Sequence, residues 1–381
     1  MKKLAIIGAS YLQEPLIEKA KSRGIETHVF AWKVGDIGER TADFFYPISI
    51  VEKEQILKKC QEIGIDGICS IASDLAAIAV NYVAEKMGLT GNSMKCVEVS
   101  TNKHSMRQCF EKNGDPSPKS IEVKSIEDLE GIELKYPVIV KPVDRSGSRG
   151  ITKIDSEEGL AAAIEKAKEQ GFEKCALIEE FATGEEYSVE YISWKGKHTF
   201  LALTKKYTTG APDFIETGHL EPAPVDSKTL ERVQKVVSHA LDSLEIKYGA
   251  SHSELKISRD GDIKLIEIGG RMGGDNIGSA LVELSTGYDF LNAVIDVALG
   301  IEPTSVKTKS SCAGIHFIFS QEDVACLERL RQEHPEVLVE SDVQEITDQK
   351  ITDSASRFGY FIFASHNYEM IKSYLPKERR E

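Results

Sequence analysis

Ser251-His252-Ser253-Glu254-Leu255-Lys256-Ile257-Ser258-Arg259-Asp260-Gly261-Asp262-Ile263-Lys264-Leu265-Ile266-Glu267 reads as two alternating runs joined by Asp-Gly. Asp-Gly between such runs favours a hairpin with a two-residue type I′ turn. With Asp260 and Gly261 as the turn, Arg259 faces Asp262, Ile257 faces Lys264 and Glu254 faces Glu267. Facing positions hold their Cβ atoms about 5 Å apart, where like charges destabilise. Leu265, Ile266 and Ile268 flank Glu267, so ionising it alone also carries a desolvation cost. A hard cation between the two carboxylates removes both penalties, and oxygen-only ligands suit magnesium carried by a nucleotide phosphate. The plain alternative pairs one acid with Lys256, Lys264 or Arg271 and leaves the other in water, and the hairpin alone does not choose.

Gly269-Gly270-Arg271-Met272-Gly273-Gly274-Asp275 follows at once. Glycines let backbone N–H groups approach an anion, and Arg271 offers planar paired donors for phosphate or carboxylate. Upstream, Lys141 ends the apolar run Tyr136 to Val140 and precedes a Gly/Ser loop, Ser146-Gly147-Ser148-Arg149-Gly150. That arrangement suits a phosphate clamp, with loop amides as donors and the lysine as a point charge. The pattern G-x-x-x-x-G-K-[ST] is absent, which excludes a P-loop. Next, Glu179-Glu180-Phe181 and Glu186 flank a short connector between strand signals, a hinge whose amides can read an adenine edge and whose acid can accept ribose hydroxyls.

Working outward, the first 90 residues alternate strands (Leu4–Ala9, Thr27–Trp32, Gly67–Ile71) with helices (Leu12–Arg23, Val51–Ile63, Leu75–Met87). Repeated βαβ units predict a parallel sheet with helices on both faces. Gly8-Ala9-Ser10 lacks the full G-x-G-x-x-G fingerprint, so a tight turn is favoured over dinucleotide binding and an oxidoreductase reading is weakened. From Val138 hairpins dominate, with strands at 138–143, 151–154, 175–181, 186–195 and 198–206 and helices at 157–170, 227–244 and 288–299. The tail has strands at 312–319 and 359–364, enough for a small cap domain.

The chain has 381 residues, 41% apolar and 28% charged, a composition that excludes disorder and collagen-like repeats. Its 47 Lys+Arg against 61 Asp+Glu give −14, a field that repels nucleic-acid backbones. Apolar runs fall far short of the roughly 20 residues a membrane span needs, and Met1-Lys2-Lys3 lacks a signal-peptide core, so a cytoplasmic location is expected. Seven cysteines with no C-x-x-C pair read as small buried side chains in a reducing compartment.

In this order, Lys103, Lys141, the Gly/Ser loop, Glu179-Glu180-Phe181, Glu186, Glu254, Glu267 and Arg271 resemble the ATP-grasp superfamily. Within it the sequence is similar to bacilysin-type L-amino-acid ligases, through Phe214 to Pro224, His252-Ser253-Glu254, and Glu267 followed by Arg271 and Gly274. The resemblance implies an α/β and α+β chain: an N-terminal parallel-sheet domain (1–100), two α+β ATP-grasp subdomains (101–185 and 186–305) and a small C-terminal domain (306–381). It implies ATP held by Lys103, Lys141, Ser146, Gly147, Ser148, Glu179, Glu180, Phe181 and Glu186. Magnesium, with manganese an alternative ion, is implied on Glu254 and Glu267. Glu216, His219, Arg271, Gly273 and Gly274 are implied at the substrate, with Arg271 and His219 catalytic and the Gly273 and Gly274 amides facing an oxyanion.

Many superfamily members carry a metal-binding asparagine two residues after the second acid. This chain has Gly269 there, a departure the bacilysin-type ligases share. The expected function is ATP-dependent amide or peptide formation between a small-molecule carboxylate and amine, on amino-acid substrates, through an acyl phosphate with release of ADP and phosphate, without nucleic acid or membrane. A homodimer is among the assemblies left open. The rivals are a purine-pathway or carboxylase-type enzyme of the same superfamily and a nucleotide-binding regulatory protein on the same fold.

Overall fold

The computed structural model describes residues 1–145, 147, 149–304, 308 and 310–377. Strands β1 (Lys3–Ile7), β2 (Glu26–Phe30), β3 (Phe44–Tyr46) and β4 (Gly67–Cys69) form a parallel sheet in the order β3-β2-β1-β4. Helices Glu14–Ser22, Lys53–Ile63 and Asp74–Met87 connect and cover it. Leu4 to Ile7 are wholly buried, as a strand sandwiched between helix layers must be. Gly8 leaves β1 at φ +102°, a left-handed turn that suits glycine, and the side chain of Gln13 packs against it. The three-residue β3 escaped the sequence pattern because it is too short and too exposed to show alternation.

A second, antiparallel sheet in the order β5-β8-β6-β7 contains β5 (Ser120–Val123), β6 (Val138–Pro142), β7 (Thr152–Ile154) and β8 (Ala176–Glu180). Helix Leu160–Gln170 buries Leu160, Ala163 and Ile164 against Val138, Val140 and Ile178.

The third sheet has eight antiparallel strands: β9 (Glu185–Trp194), β10 (Lys197–Thr208), β11 (Glu216–Glu221), β12 (Tyr248–Ile257), β13 (Ile263–Gly269), β14 (Cys312–Phe317), β15 (Leu338–Val343) and β16 (Gly359–Ser365). Their order is β13-β12-β9-β10-β11-β14-β16-β15. The tail therefore continues the central sheet: β14 lies beside β11, with His219 opposite Ile315. All six residues of β14 are buried, and pairing on both sides satisfies their backbone groups. Helix Phe290–Ala298 packs Val294 and Val297 into one core with Leu16 and Ile17, which seats the parallel sheet against the central one. The helix that opens at Asp74 is thereby brought to the site.

The β12–β13 hairpin differs from expectation in its turn. Ser258 N–H donates to Asp262 O at 2.9 Å and Gly261 N–H to Ser258 O at 2.9 Å, so the connection has three residues, ending in Gly261 at φ +84°. Ile257 therefore faces Ile263, Lys256 faces Lys264 and Leu255 faces Leu265, each one residue off the predicted pairing. A bulge then inserts Ile266, and Glu254 faces Glu267 after all. The bulge is held from outside: Leu265 N–H donates to Pro116 O at 2.7 Å, and Arg107 Nη2 donates to Ile266 O at 2.5 Å.

Candidate active site

Between the second and third sheets lies a cleft of about 1110 Å³, open to solvent at its mouth. Lys103, Lys141, Glu186, Lys206, Glu254, Glu267 and Arg271 all line it. Lys103 opens the helix Lys103–Asn113, whose N-cap Asn102 accepts from Ser105 N–H at 2.9 Å. That start aims the buried Lys103 ammonium at Glu267 Oε1 (2.8 Å) and Arg145 O (2.6 Å).

Lys141, at the end of β6, donates to Glu179 Oε2 at 2.6 Å, and Arg107 Nε lies 2.8 Å from Glu179 Oε1. Burial pushes the Lys141 ammonium down against the pull of Glu179. For Glu179 burial acts upward, yet Arg107 and Lys141 hold its carboxyl below the usual range. Glu179 thus fixes two cations. The N–H groups of Glu180 and Phe181 donate to Lys119 O (2.9 Å) and Pro137 O (3.4 Å), so these two hinge amides face their own sheet. The Phe181 ring carries Lys153 and Lys256 ammoniums at 5.0 and 5.3 Å from its centroid. Gly147 is on the cleft wall; Ser146 and Ser148 lie outside the described residues.

The centre of the acidic side is Lys206, on β10. Its ammonium reaches Glu254 at 2.6 Å, Glu186 at 3.1 Å and Glu216 at 3.4 Å while almost wholly buried. Burial opposes its charge, but the three carboxylates hold it well above the usual lysine range. Burial would raise Glu254, yet Lys206 and the His252 imidazolium hold that carboxyl well below the ordinary range. His252 pairs through Nδ1 with the fully buried Glu190, whose carboxylate overcomes burial and lifts the imidazole to about 9.

Glu190 Oε2 also accepts Gly273 N–H at 3.0 Å. That amide is committed inward, away from the oxyanion role expected of it. A Cβ at Gly273 would come within 2.7 Å of Glu190 Oε1 and of His252 Nδ1, which explains the glycine. Gly274 makes the next turn, accepting from Ile277 N–H at 2.9 Å.

Arg271 is gripped by Asp74 from the N-terminal unit, Nε to Oδ1 at 2.8 Å and Nη2 to Oδ2 at 3.0 Å. Burial would lower the guanidinium, and Asp74 raises it further than burial lowers it. A Cβ on residue 269 would stand 2.7 Å from Asp74 Oδ1, so a side chain there would displace this pair.

His219, on β11 opposite Lys206, has no accessible surface. Its Nε2 is 3.7 Å from Asp275 Oδ2, its ring meets Phe317 edge-on at 5.5 Å, and burial pushes its pKa down. Contact with a substrate requires displacement of a neighbour such as Asp275. Arg357, from the C-terminal region, clasps Asp275 at 3.0 and 2.6 Å and donates to Glu216 O at 3.3 Å.

Sequence reasoning did not find Lys206, Glu190, Asp74 or Arg357. Lys205-Lys206 is a pair on a strand, and alternation says that one of them points inward without saying which. Glu254 and Glu267 offer an oxygen-only pair with room for phosphate oxygens, the donor chemistry of a hard cation. Among the described residues no group of three or more acids, histidines or cysteines is placed to hold a metal ion by itself.

Two sheets closing on such a cleft are the arrangement of the ATP-grasp fold. Residues 134–279 match the model of the ATP-grasp domain. The chain is 27% identical over 268 residues to the alanine–anticapsin ligase of Bacillus subtilis strain 168, a match covering 64% of this chain and 56% of that one. It spans under two thirds of the length of the alanine–anticapsin ligases it matches. The solved L-amino acid ligase of Bacillus licheniformis superposes with a TM-score of 0.85 at 23% identity, covering 100% of this chain and 99% of that one. The N5-carboxyaminoimidazole synthetase of Staphylococcus aureus, complexed with ADP, does so at 0.78 and 16%, covering 98% and 95%. At these identities the superpositions establish the fold.

Proposed function

We propose that the protein is an ATP-dependent carboxylate–amine ligase acting on amino acids. The observation that carries this reading is the meeting of facing carboxylates, Glu254 and Glu267, with the cations Lys103, Lys141, Lys206 and Arg271 in one cleft. A single nucleotide phosphate needs fewer positive groups than that, whereas a transferring phosphoryl group beside a second anion uses them all.

Lys103 and Lys141 bind the nucleotide phosphates, and Glu186 accepts from the ribose. Glu254 and Glu267 would hold magnesium, which when bound neutralises charge on the phosphate oxygens. A substrate carboxylate oxygen attacks the γ-phosphorus, the β–γ P–O bond breaks, and ADP leaves with the electron pair. The amine lone pair then forms the C–N bond as the C–O bond to phosphate breaks. Of the two protons the ammonium loses, one ends on phosphate and one in solvent. Arg271, oriented by Asp74, neutralises the acyl phosphate, and Glu216 holds the donor's ammonium. The likeness to the alanine–anticapsin ligase supports amino acids as substrates. Among the described residues no helix is long and apolar enough to cross a membrane.

A phosphate-release screen over pairs of amino acids, with mass spectrometry of the products, tests the reading. Release should require both a donor and an acceptor and should vanish in Glu267→Gln. Release with bicarbonate or a ribonucleotide, and none with amino acids, would refute it.

A further inference from the structure

His219 is fully buried, and among the described residues neither of its ring nitrogens has a hydrogen-bond partner. Leaving a buried polar group so is costly, and it calls for a partner that arrives later. Asp275 stands nearest, yet its Oδ2 stops 3.7 Å from His219 Nε2, beyond hydrogen-bond reach.

The reason lies on the far side of Asp275. Arg357 takes both carboxylate oxygens, Nη1 to Oδ2 at 3.0 Å and Nη2 to Oδ1 at 2.6 Å. Its own fork is fixed in turn: Nε donates to Ser354 O at 2.7 Å, and the guanidinium lies 3.6 Å from the centroid of Phe317, the ring that meets His219 edge-on. Asp275 and Asn276 both hold left-handed backbone, at φ +51° and +59°, which for residues other than glycine persists only where the surroundings impose it. The Arg357 clasp supplies that constraint.

The same C-terminal turn reaches Glu216. Ser354 Oγ donates to Glu216 Oε2 at 2.7 Å and Arg357 Nη1 to Glu216 O at 3.3 Å, while the Lys206 ammonium is 3.4 Å from Oε1. Four charged groups thus bear on the imidazole: Lys206 from β10, Glu216 from its own strand, Asp275 from the glycine-rich segment and Arg357 behind it. From β14 it meets Ile315 and Phe317, which are apolar. Burial presses its pKa down, so the ring is neutral, with one N–H donor and one acceptor nitrogen.

On the ligase reading, we infer that Arg357 is a positioning residue for the donor amino acid: by engaging both oxygens of Asp275 it keeps that carboxylate off His219, and with Ser354 it fixes Glu216, so that an unpaired imidazole and an oriented carboxylate meet the donor together. The C-terminal region is thereby part of the donor site. Without Arg357, Asp275 closes onto His219 as an ion pair that the donor has to break.

The full-length protein with ¹⁵N-labelled histidine tests the arrangement directly, the His219 resonances being those lost in His219→Gln. In wild type the ring should titrate below the ordinary value near 6.5, and in Arg357→Met about one unit or more higher. Arg357→Lys, which cannot take both oxygens, should shift it the same way by less and serves should the methionine variant not fold. Adding Asp275→Asn, which tolerates the left-handed backbone, should bring the value back down.

Donor binding is read with hydroxylamine, whose nitrogen attacks the acyl phosphate carbon, expels phosphate and loses a proton, leaving a hydroxamate. Arg357→Met should raise the donor KM about tenfold, the worth of a hydrogen bond between charged groups, with the KM for ATP near wild type. The ratio of variant to wild-type donor KM should fall as pH rises from about 6.5 to 8.5, because deprotonating His219 releases Asp275. An unchanged His219 titration, or KM values for donor and ATP that rise together, would overturn the inference alone. A wild-type enzyme that makes no hydroxamate from any amino acid would refute the ligase reading and the positioning role with it.

Discussion

Asp74 and Arg271, 197 residues apart in the chain, form a two-pronged ion pair across the seam between the N-terminal sheet and the ATP-grasp domain. The pair explains Gly269, whose Cβ direction points at Asp74 Oδ1 from 2.7 Å. Arg271 therefore enters the cleft already oriented, with its position set by an acid outside the domain.

Asp74→Ala should leave the KM for ATP near wild type while lowering turnover roughly tenfold, about 1.4 kcal/mol of transition-state positioning. Removing one partner of a largely buried pair should also cost about 3 kcal/mol of stability. Gly269→Ala strikes the same contact, so in an Asp74→Ala background it should add little. Steady-state kinetics on the two single variants and the double variant check this, and additive losses would show that the glycine has another purpose.

Lys206→Met leaves Glu186, Glu216 and Glu254 gathered without their common cation. The expected loss is about 3–5 kcal/mol, read as a lower urea midpoint at unchanged slope. Lys206→Arg, which keeps the charge, should recover part of it. A Lys206→Met protein as stable as wild type would mean that the three carboxylates do not depend on this ammonium.

His316 donates through Nδ1 to Tyr374 O at 2.7 Å and pairs through Nε2 with Asp323 at 2.9 Å, clamping helices Tyr368–Ser373 and Gln321–Glu333 to β14. Burial opposes its charge, yet Asp323 raises it to about 9. Because the folded value exceeds the unfolded one, near 6.5, its stabilisation is complete below about pH 6.5 and disappears as pH rises through 9. Of order 3 kcal/mol should be lost over that window. Thermal unfolding from pH 6 to 10 should show it in wild type, with a flatter profile in His316→Gln; identical profiles would contradict the clamp.

The sequence carried most strands of the three sheets but not β3, β5, β11 or β15, and it carried the facing of Glu254 and Glu267. The latter came out through two compensating differences, a turn one residue longer than Asp-Gly suggests and a bulge at Ile266. Local turn preference has no access to the bulge, because Arg107 and Pro116 hold it from a distant helix and loop. Asp74 and Arg357 belong to none of the motifs the sequence displays. Their roles depend on packing between segments more than 80 residues apart, which periodicity cannot encode. The joining of β14 to β11 was hidden for the same reason.

An acyl phosphate leaves an isotopic record. With the donor amino acid labelled with ¹⁸O in its carboxylate, attack on the γ-phosphorus and later C–O cleavage carry one labelled oxygen into each phosphate released. Mass spectrometry of that phosphate should show one ¹⁸O per turnover, with the other retained in the amide. Unlabelled phosphate accompanying amide formation, or label found in a nucleotide instead, would contradict ligation through an acyl phosphate in this cleft.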